Sequence, residues 1–323
     1  MPHLGCPHNC IFCDQRAISG VRAPITREEI TEACQTAAKT PHDINNSEIA
    51  FFGGSFTAVD RDTQRMCLET AAEFVGTQFG GIRISTRPDC IDRQELEFLK
   101  GYGVTSIELG AQSMFSSVLD MNERGHTPED TVRAAELIRS FGFSLGLQMM
   151  TGLYGSDGEK DFETARRFVE LKPDTVRIYP TVVLKNTFLE KLYEEKKYLP
   201  PTLEESTELC SRLLVLFREA GIRVIRLGLH SGGGVDGGFV AGVYHPAFGE
   251  LCESMIFRKN AESLLGCLPK GFYRAEVCPR DISKMTGQKK SNINYFNSRG
   301  YFLSVVGNDT VPQGEIRINP ERI

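Results

Sequence analysis

The feature that most constrains this chain is a repeated alternation of short β-rich runs with amphipathic helical stretches. Glu48–Phe52 reads as a strand that stops at Gly53-Gly54, and Gly81–Thr86 as a second that stops at Arg87-Pro88. Ser106–Gly110, Ser144–Met150 and Thr175–Pro180 follow, with Arg223–Leu227 as a weaker sixth. Between them Arg27–Lys39, Thr63–Phe74, Asp92–Tyr102, Pro128–Phe141, Lys160–Leu171 and Leu203–Ala220 carry apolar residues at i, i+3 and i+4. Parallel neighbours need a crossover and a helix supplies it, so this order predicts an α/β fold on a parallel sheet, barrel-like or doubly wound. In both, ligands gather at the carboxyl ends of the strands. Gly53-Gly54, Thr86, Gln112, Gln148 and Tyr179 fall at those ends.

From Gly228 the texture changes. Residues 231–238 (SGGGVDGG) read as a flexible loop. Beyond it come a helix over about Ala247–Leu265 and short strands at Ala275–Cys278, Tyr301–Val306 and Glu315–Ile318. The expected division is 1–227 for the sheet domain and 228–323 for a small α+β appendage. No run of eighteen apolar residues is present, which excludes a membrane-spanning helix. Met1–Gly5 shows no signal-peptide pattern, so the expected compartment is the cytosol. The net charge of −5 argues against phosphate-backbone binding over the whole surface. Residues 228–323 hold 11 Lys+Arg against 9 Asp+Glu, leaving 26 against 33 before them, so a nucleic-acid partner would have to use a local patch.

Ten cysteines in a reducing compartment are not expected to be disulfides. Seven are scattered and read as small buried residues. Cys6, Cys10 and Cys13 crowd into CPHNCIFC, a C-x3-C-x2-C loop broken by Gly5, Pro7 and Asn9. Three soft thiolates can hold a metal and are one short of a closed site. Three readings compete on the residues alone: a [4Fe–4S] cluster with one iron left open, a catalytic zinc with His8 as a candidate ligand in place of one cysteine, or inert packing of the three thiols.

The loop, with Phe12 before its last cysteine and Phe51-Phe52-Gly53-Gly54-Ser55 after the next strand, resembles the signature of radical S-adenosylmethionine (radical SAM) enzymes. The strings GGSFTA (53–58), STRPDC (85–90), IELGAQS (107–113), NERGHT (122–127), QMMTGLYG (148–155) and RIYPTVVLKNT (177–187) are similar to the radical domain of the Elongator catalytic subunit family, over about residues 5–227. The resemblance implies a partial (β/α)6 TIM-like barrel with a small C-terminal α+β appendage. It implies a [4Fe–4S] cluster on Cys6, Cys10 and Cys13. The open iron would bind S-adenosylmethionine, whose reductive cleavage yields a 5′-deoxyadenosyl radical that abstracts hydrogen.

Residue by residue, Gly53 and Gly54 resemble the turn that receives the methionine amino group, where a Cβ would block close approach. Phe12 and Ser55 flank the cluster and that turn. Gln112 and Arg124 resemble polar contacts to S-adenosylmethionine, Arg124 being suited to its carboxylate. Gln148 resembles a ribose contact, and Ser85 stands where relatives often carry an acidic residue. Tyr179 and Lys185 match a segment that faces the substrate. The family acts on tRNA at the wobble uridine, which implies tRNA modification and an external one-electron donor, with no DNA and no membrane partner. A small-molecule radical enzyme of the coproporphyrinogen-oxidase-like branch and a non-enzymatic, metal-holding RNA-binding module are the alternatives. No acetyl-CoA pyrophosphate loop is visible after residue 227, and only Met1–Leu4 stand where the family places its first strand, so that strand is expected to be missing. Arg280, Lys284, Lys289, Lys290 and Arg299, with Tyr295-Phe296 beside them, form the one basic and aromatic stretch suited to RNA.

Overall fold

Helix starts are well specified locally. The computed structural model describes residues 6–13, 25–40, 43–229 and 234–321. Helix α1 (Arg27–Ala38) opens on a capping box in which Thr26 and Glu29 each satisfy the other's amide. Asp60 caps α2 (Arg61–Ala72), Asp92 caps α3 (Arg93–Gly101) and Asp157 caps α6 (Gly158–Leu171). Thr127 and Pro128 start α5 (Pro128–Ser140), as the sequence predicts. Between α3 and α5 lies the short α4 (Ser116–Met121).

The strands are β1 (Glu48–Phe51), β2 (Gly81–Thr86), β3 (Val104–Gln112), β4 (Ser144–Thr151), β5 (Thr175–Pro180) and β7 (Arg223–Leu227). They form one six-stranded sheet in the order β1-β2-β3-β4-β5-β7, parallel throughout, which is the half-barrel expected. One face carries Ile82, Ile84, Ile107, Leu109, Leu145, Leu147, Val176 and Ile178, each 0% exposed. Helices α2, α3, α5 and α6 pack against these strands. The other face is polar and partly open, with Arg83, Ser85, Gln148, Arg177 and Tyr179 at alternate positions. A sheet with helices on one side and a polar lumen on the other positions a site inside the curve.

Two features were not expected from the sequence. A second pairing joins β6 (Val182–Leu184) antiparallel to β8 (Phe239–Gly242). Part of the supposed flexible loop is ordered, with Gly234–Gly238 forming a short helix α9 before β8. Residues 230–233 lie outside the described residues, as does Met1–Leu4, on which the expectation about a first strand falls. The pairing of β6 with β8 joins segments far apart in sequence, and no local pattern signals such a contact.

The chain divides into two compact units, Met1–Thr202 with Phe217–Tyr244, and Leu203–Leu216 with His245–Ile323. The division differs from one drawn after Leu227, because β8 belongs to the first unit and most of α8 (Leu203–Glu219) to the second. In the second unit, α10 (Phe248–Leu265), α11 (Ile282–Thr286) and α12 (Ser291–Asn297) accompany a sheet of order β10-β9-β11. That sheet is mixed: β9 (Gly271–Val277) pairs parallel with β10 (Tyr301–Gly307) and antiparallel with β11 (Ile316–Pro320). Its core includes Phe257, Ala261, Leu265, Tyr273, Ala275, Val277, Met285 and Phe296. No helix among the described residues is long and apolar enough to cross a membrane.

Candidate active site at the carboxyl ends of the strands

The cysteine loop is held by its apolar interior. Ile11 is 3% exposed and packs among Val183, Leu189, Leu192 and Tyr198, with Phe12 against the same cluster. Ile11 N–H donates to the Asn122 carbonyl at 3.3 Å, and the Ile11 carbonyl accepts from Leu189 N–H at 2.8 Å. Leu189 lies in the first turn of α7 (Phe188–Glu194), so the loop satisfies a helix donor that has no partner within the helix. Cys6, Cys10 and Cys13 are each partly exposed, and Cys13 N–H closes a turn on the Cys10 carbonyl at 3.0 Å.

Arg124 joins this loop to the sheet. Its Nη1 donates to Cys10 Sγ at 3.1 Å and its Nη2 to the Gly110 carbonyl at 2.6 Å, while Nε is buried without a partner. The Arg124 carbonyl in turn accepts from Arg87, whose Nε and Nη2 pair with Asp89 at 2.9 and 3.0 Å. Gly125 follows at φ +68°, and a Cβ there would lie 2.4 to 2.6 Å from the His8 ring, so glycine is what admits the loop. Gly53 and Gly54 have φ of 100° and 129°. Ser55 Oγ is 2.7 Å from Thr86 Oγ1 and accepts from Arg87 N–H at 3.2 Å, and the Ser55 amide faces the Cys6 sulfur. Burial pushes the Cys6 thiol up, and the Ser55 amide, Arg124 and Arg87 oppose that rise.

Gln112 ends β3 at φ 65° and accepts from Gln148 Nε2 at 3.4 Å. A Cβ on Gly110 would be 3.1 Å from Gln112 Nε2 and 3.6 Å from Arg124 Nη2, so Gln112 and Arg124 flank the same backbone point. Cys6, Cys10, Ser55, Arg124, Gln112 and Gln148 are thus linked through direct neighbours. Ser85 and Tyr179 share the lumen face with them, on β2 and β5. Lys185 stands apart: it is exposed beyond β6, with its amide on the Gly238 carbonyl at 2.8 Å.

Sequence reasoning missed three parts of this region. Arg87 and Asp89 sit within STRPDC, but their grip on the Arg124 backbone is a tertiary contact. His126, 3% exposed, meets the Ala111 carbonyl through Nε2 at 3.1 Å, and burial beside Arg124 and Arg87 pulls its pKa down to about 4. A charged layer crosses the lumen, with Arg83 on Glu48 at 2.6 Å and Arg177 Nε on Glu108 at 2.8 Å. Its only sequence signal is charge at alternate strand positions between apolar residues.

Among the described residues no three His, Cys, Asp or Glu side chains converge to hold a single metal ion. An iron–sulfur cluster asks for something different, one thiolate on each of several irons, and the thiols along this loop are soft donors of that kind. Arg124 on Cys10 and Arg87 behind it supply positive charge against thiolates. The donor set and its surroundings fit such a cluster.

A family model described as the radical SAM superfamily matches residues 2–169, and one described as the Radical_SAM C-terminal domain matches residues 173–258. The tRNA uridine(34) acetyltransferase of Methanocaldococcus jannaschii is 30% identical over 248 residues, covering 64% of this chain and 46% of that protein. Human Elongator complex protein 3 is 27% identical over 196 residues, covering 54% of this chain and 36% of that protein. The structure of Methanocaldococcus infernus Elp3 superposes with a TM-score of 0.63 at 24% identity, over 76% of this chain and 60% of that one, and shows a shared fold. The chain therefore spans less than half the length of these curated relatives. With more than half of its residues matched and the half-barrel in place, the chain belongs to the radical S-adenosylmethionine superfamily, whose enzymes use a [4Fe–4S] cluster and S-adenosylmethionine.

Proposed function

We propose that Cys6, Cys10 and Cys13 hold the cluster, that S-adenosylmethionine lies against Gly53, Gly54 and Arg124, and that the substrate is a nucleotide in RNA. The observation that carries the site assignment is the double contact of Arg124, on Cys10 Sγ and on the Gly110 carbonyl. One guanidinium places the thiol loop over the end of β3, where Gln112 and Gln148 meet. When bound, the cluster and S-adenosylmethionine supply a radical that removes hydrogen from substrate.

The chain's own residues bind and orient. The two left-handed glycines let a ligand approach the backbone. Arg124 has a planar fork suited to a carboxylate, and its buried Nε, without a partner among the described residues, supports that role. Gln112, Gln148 and Ser85 offer amide and hydroxyl groups for the nucleoside part, and Phe12 and Ser55 pack beneath the loop and the glycine turn. Tyr179 belongs to the substrate side of the lumen, and Lys185, exposed beyond β6 and apart from the other site residues, would meet only a substrate large enough to extend past them. An external donor supplies the electron. The RNA substrate is supported by the names of the relatives, tRNA uridine(34) acetyltransferases, over the part of them that this chain matches.

The test is nucleoside mass spectrometry of tRNA from cells with and without this gene. Loss of one modified nucleoside supports the RNA reading, and identical profiles overturn it. Anaerobic protein given dithionite and S-adenosylmethionine should release 5′-deoxyadenosine. Replacement of any of the three cysteines by alanine should abolish both iron binding and that release, and retention of iron at wild-type level would overturn the ligand assignment.

A further inference from the structure

The lumen wall formed by β5 and β7 carries a charge imbalance. Arg177 of β5 and Arg226 of β7 are register partners on neighbouring parallel strands just past a register shift, and both guanidiniums act electrostatically on the Tyr179 hydroxyl, which places them on its side of the sheet. Like charges directly opposite on a sheet destabilise it. Among the described residues the layer holds three guanidiniums, of Arg83, Arg177 and Arg226, against two carboxylates, of Glu48 and Glu108. Arg226 donates its Nε to the Gly228 carbonyl at 2.8 Å and forms no ion pair among the described residues.

Arg177 is fixed rather than loose. Its Nε meets Glu108 at 2.8 Å, and Glu108 is 1% exposed. That bond runs from β3 to β5 across β4, which lies between them. It can do so because position 146 is glycine: a Cβ there would be 3.1 Å from both Glu108 Cγ and Thr175 Oγ1. The Phe52 ring lies 4.7 Å from the Arg177 guanidinium carbon. The remaining edge lies 3.5 Å from the Tyr179 hydroxyl through Nη1. Because Tyr179 accepts there, its own proton stays free to donate. Two guanidiniums and a phenol proton therefore share one wall, and among the described residues Glu108 is the only carboxylate paired with either guanidinium.

We propose that Arg177, Arg226 and Tyr179 form a subsite for an oxyanion of the substrate, a phosphate ester or a carboxylate, with Glu108 as the positioning residue for Arg177. An oxyanion offers acceptors to all three groups and removes the like-charge repulsion across β5 and β7. The subsite rests on the functional reading above only in that substrate enters this lumen.

The experiment is calorimetric titration of the anaerobic, cluster-loaded full chain at low salt with uridine 5′-monophosphate, with uridine and with acetate. The nucleotide should bind and uridine should bind far more weakly. Arg226→Gln should weaken the nucleotide by about ten- to a hundredfold, the loss of a charge-assisted contact. Arg226→Lys should recover part of it. Glu108→Gln should weaken it as well, while S-adenosylmethionine binding stays at wild-type level in all three variants. Acetate binding that falls in the same variants, with no nucleotide binding, supports the subsite and assigns a carboxylate as its source. Equal binding of nucleotide and uridine, unchanged binding in Arg226→Gln, or no binding of either anion overturns it. Loss of the subsite with 5′-deoxyadenosine release intact leaves the enzyme assignment standing, and unchanged tRNA nucleosides with anion binding intact would remove only the RNA reading.

Discussion

Replacement of Ile11 by alanine should release the cysteine loop without unfolding the barrel. Ile11 is 3% exposed and is the buried side chain by which the loop enters the cluster of Val183, Leu189, Leu192 and Tyr198, with the partly buried Phe12 at its edge. Truncating a buried isoleucine to alanine costs about 3 kcal/mol. The loop's other anchors, the Phe12 ring and the bonds of Asn122 and Arg124, stay in place, so the cost falls on the docking equilibrium of the loop, and the undocked population rises by up to about 150-fold. The Leu189 amide reports this directly, because its acceptor is the Ile11 carbonyl at 2.8 Å. Hydrogen-exchange mass spectrometry should show faster exchange in the peptide containing Leu189, with the peptides of β3 and β4 unchanged. Iron content after anaerobic reconstitution should fall in parallel. Unchanged exchange at Leu189, or equal acceleration in β3 and β4, would refute the idea that Ile11 anchors the loop locally.

Three further outcomes follow from the same geometry. Gly125→Ala adds a Cβ that would lie 2.4 to 2.6 Å from the His8 ring at a φ of +68°; iron loading should drop several-fold, and adding His8→Ala should restore much of it, a rescue absent if the two residues do not touch. His126 has its pKa held at about 4, below the usual 6.5, so the unfolded chain takes up the proton first and stability falls as pH drops through that window. From pH 7 to pH 5 this contributes about 2 kcal/mol of loss, and urea melts of His126→Gln should show a shallower pH dependence than wild type; identical slopes would contradict the burial account. Gly146→Ala should cost about 1–3 kcal/mol by pushing Glu108 off Arg177, and less when made together with Glu108→Ala, which removes the side-chain atoms beyond Cβ; additive costs in a double-mutant cycle would show that the two positions are not coupled.

The strand and helix order was legible because each element signals itself. Asp60, Asp92, Thr127 and Asp157 cap helices through neighbours a few residues away. Alternating apolar positions mark the strands, and three cysteines in eight residues mark the loop whatever the fold around them. Helix ends moved by one or two residues, and β3 extended to Val104–Gln112 beyond the stretch that pattern alone marks.

The pairing of β6 with β8 and the ordering of Gly234–Gly238 were not legible, since each depends on segments more than fifty residues apart in the chain. The lumen layer is of the same kind. Glu108 reads as one charge in a strand, and only folding shows it buried under two arginines with Gly146 clearing the path. Sequence by itself determined which local elements form and where the soft ligands lie, because caps, periodicity and spacing act over a few residues. Tertiary structure alone decided that Arg124 meets Cys10 and that Arg177 faces Arg226, because side chains from different strands become neighbours only once the sheet has set its register.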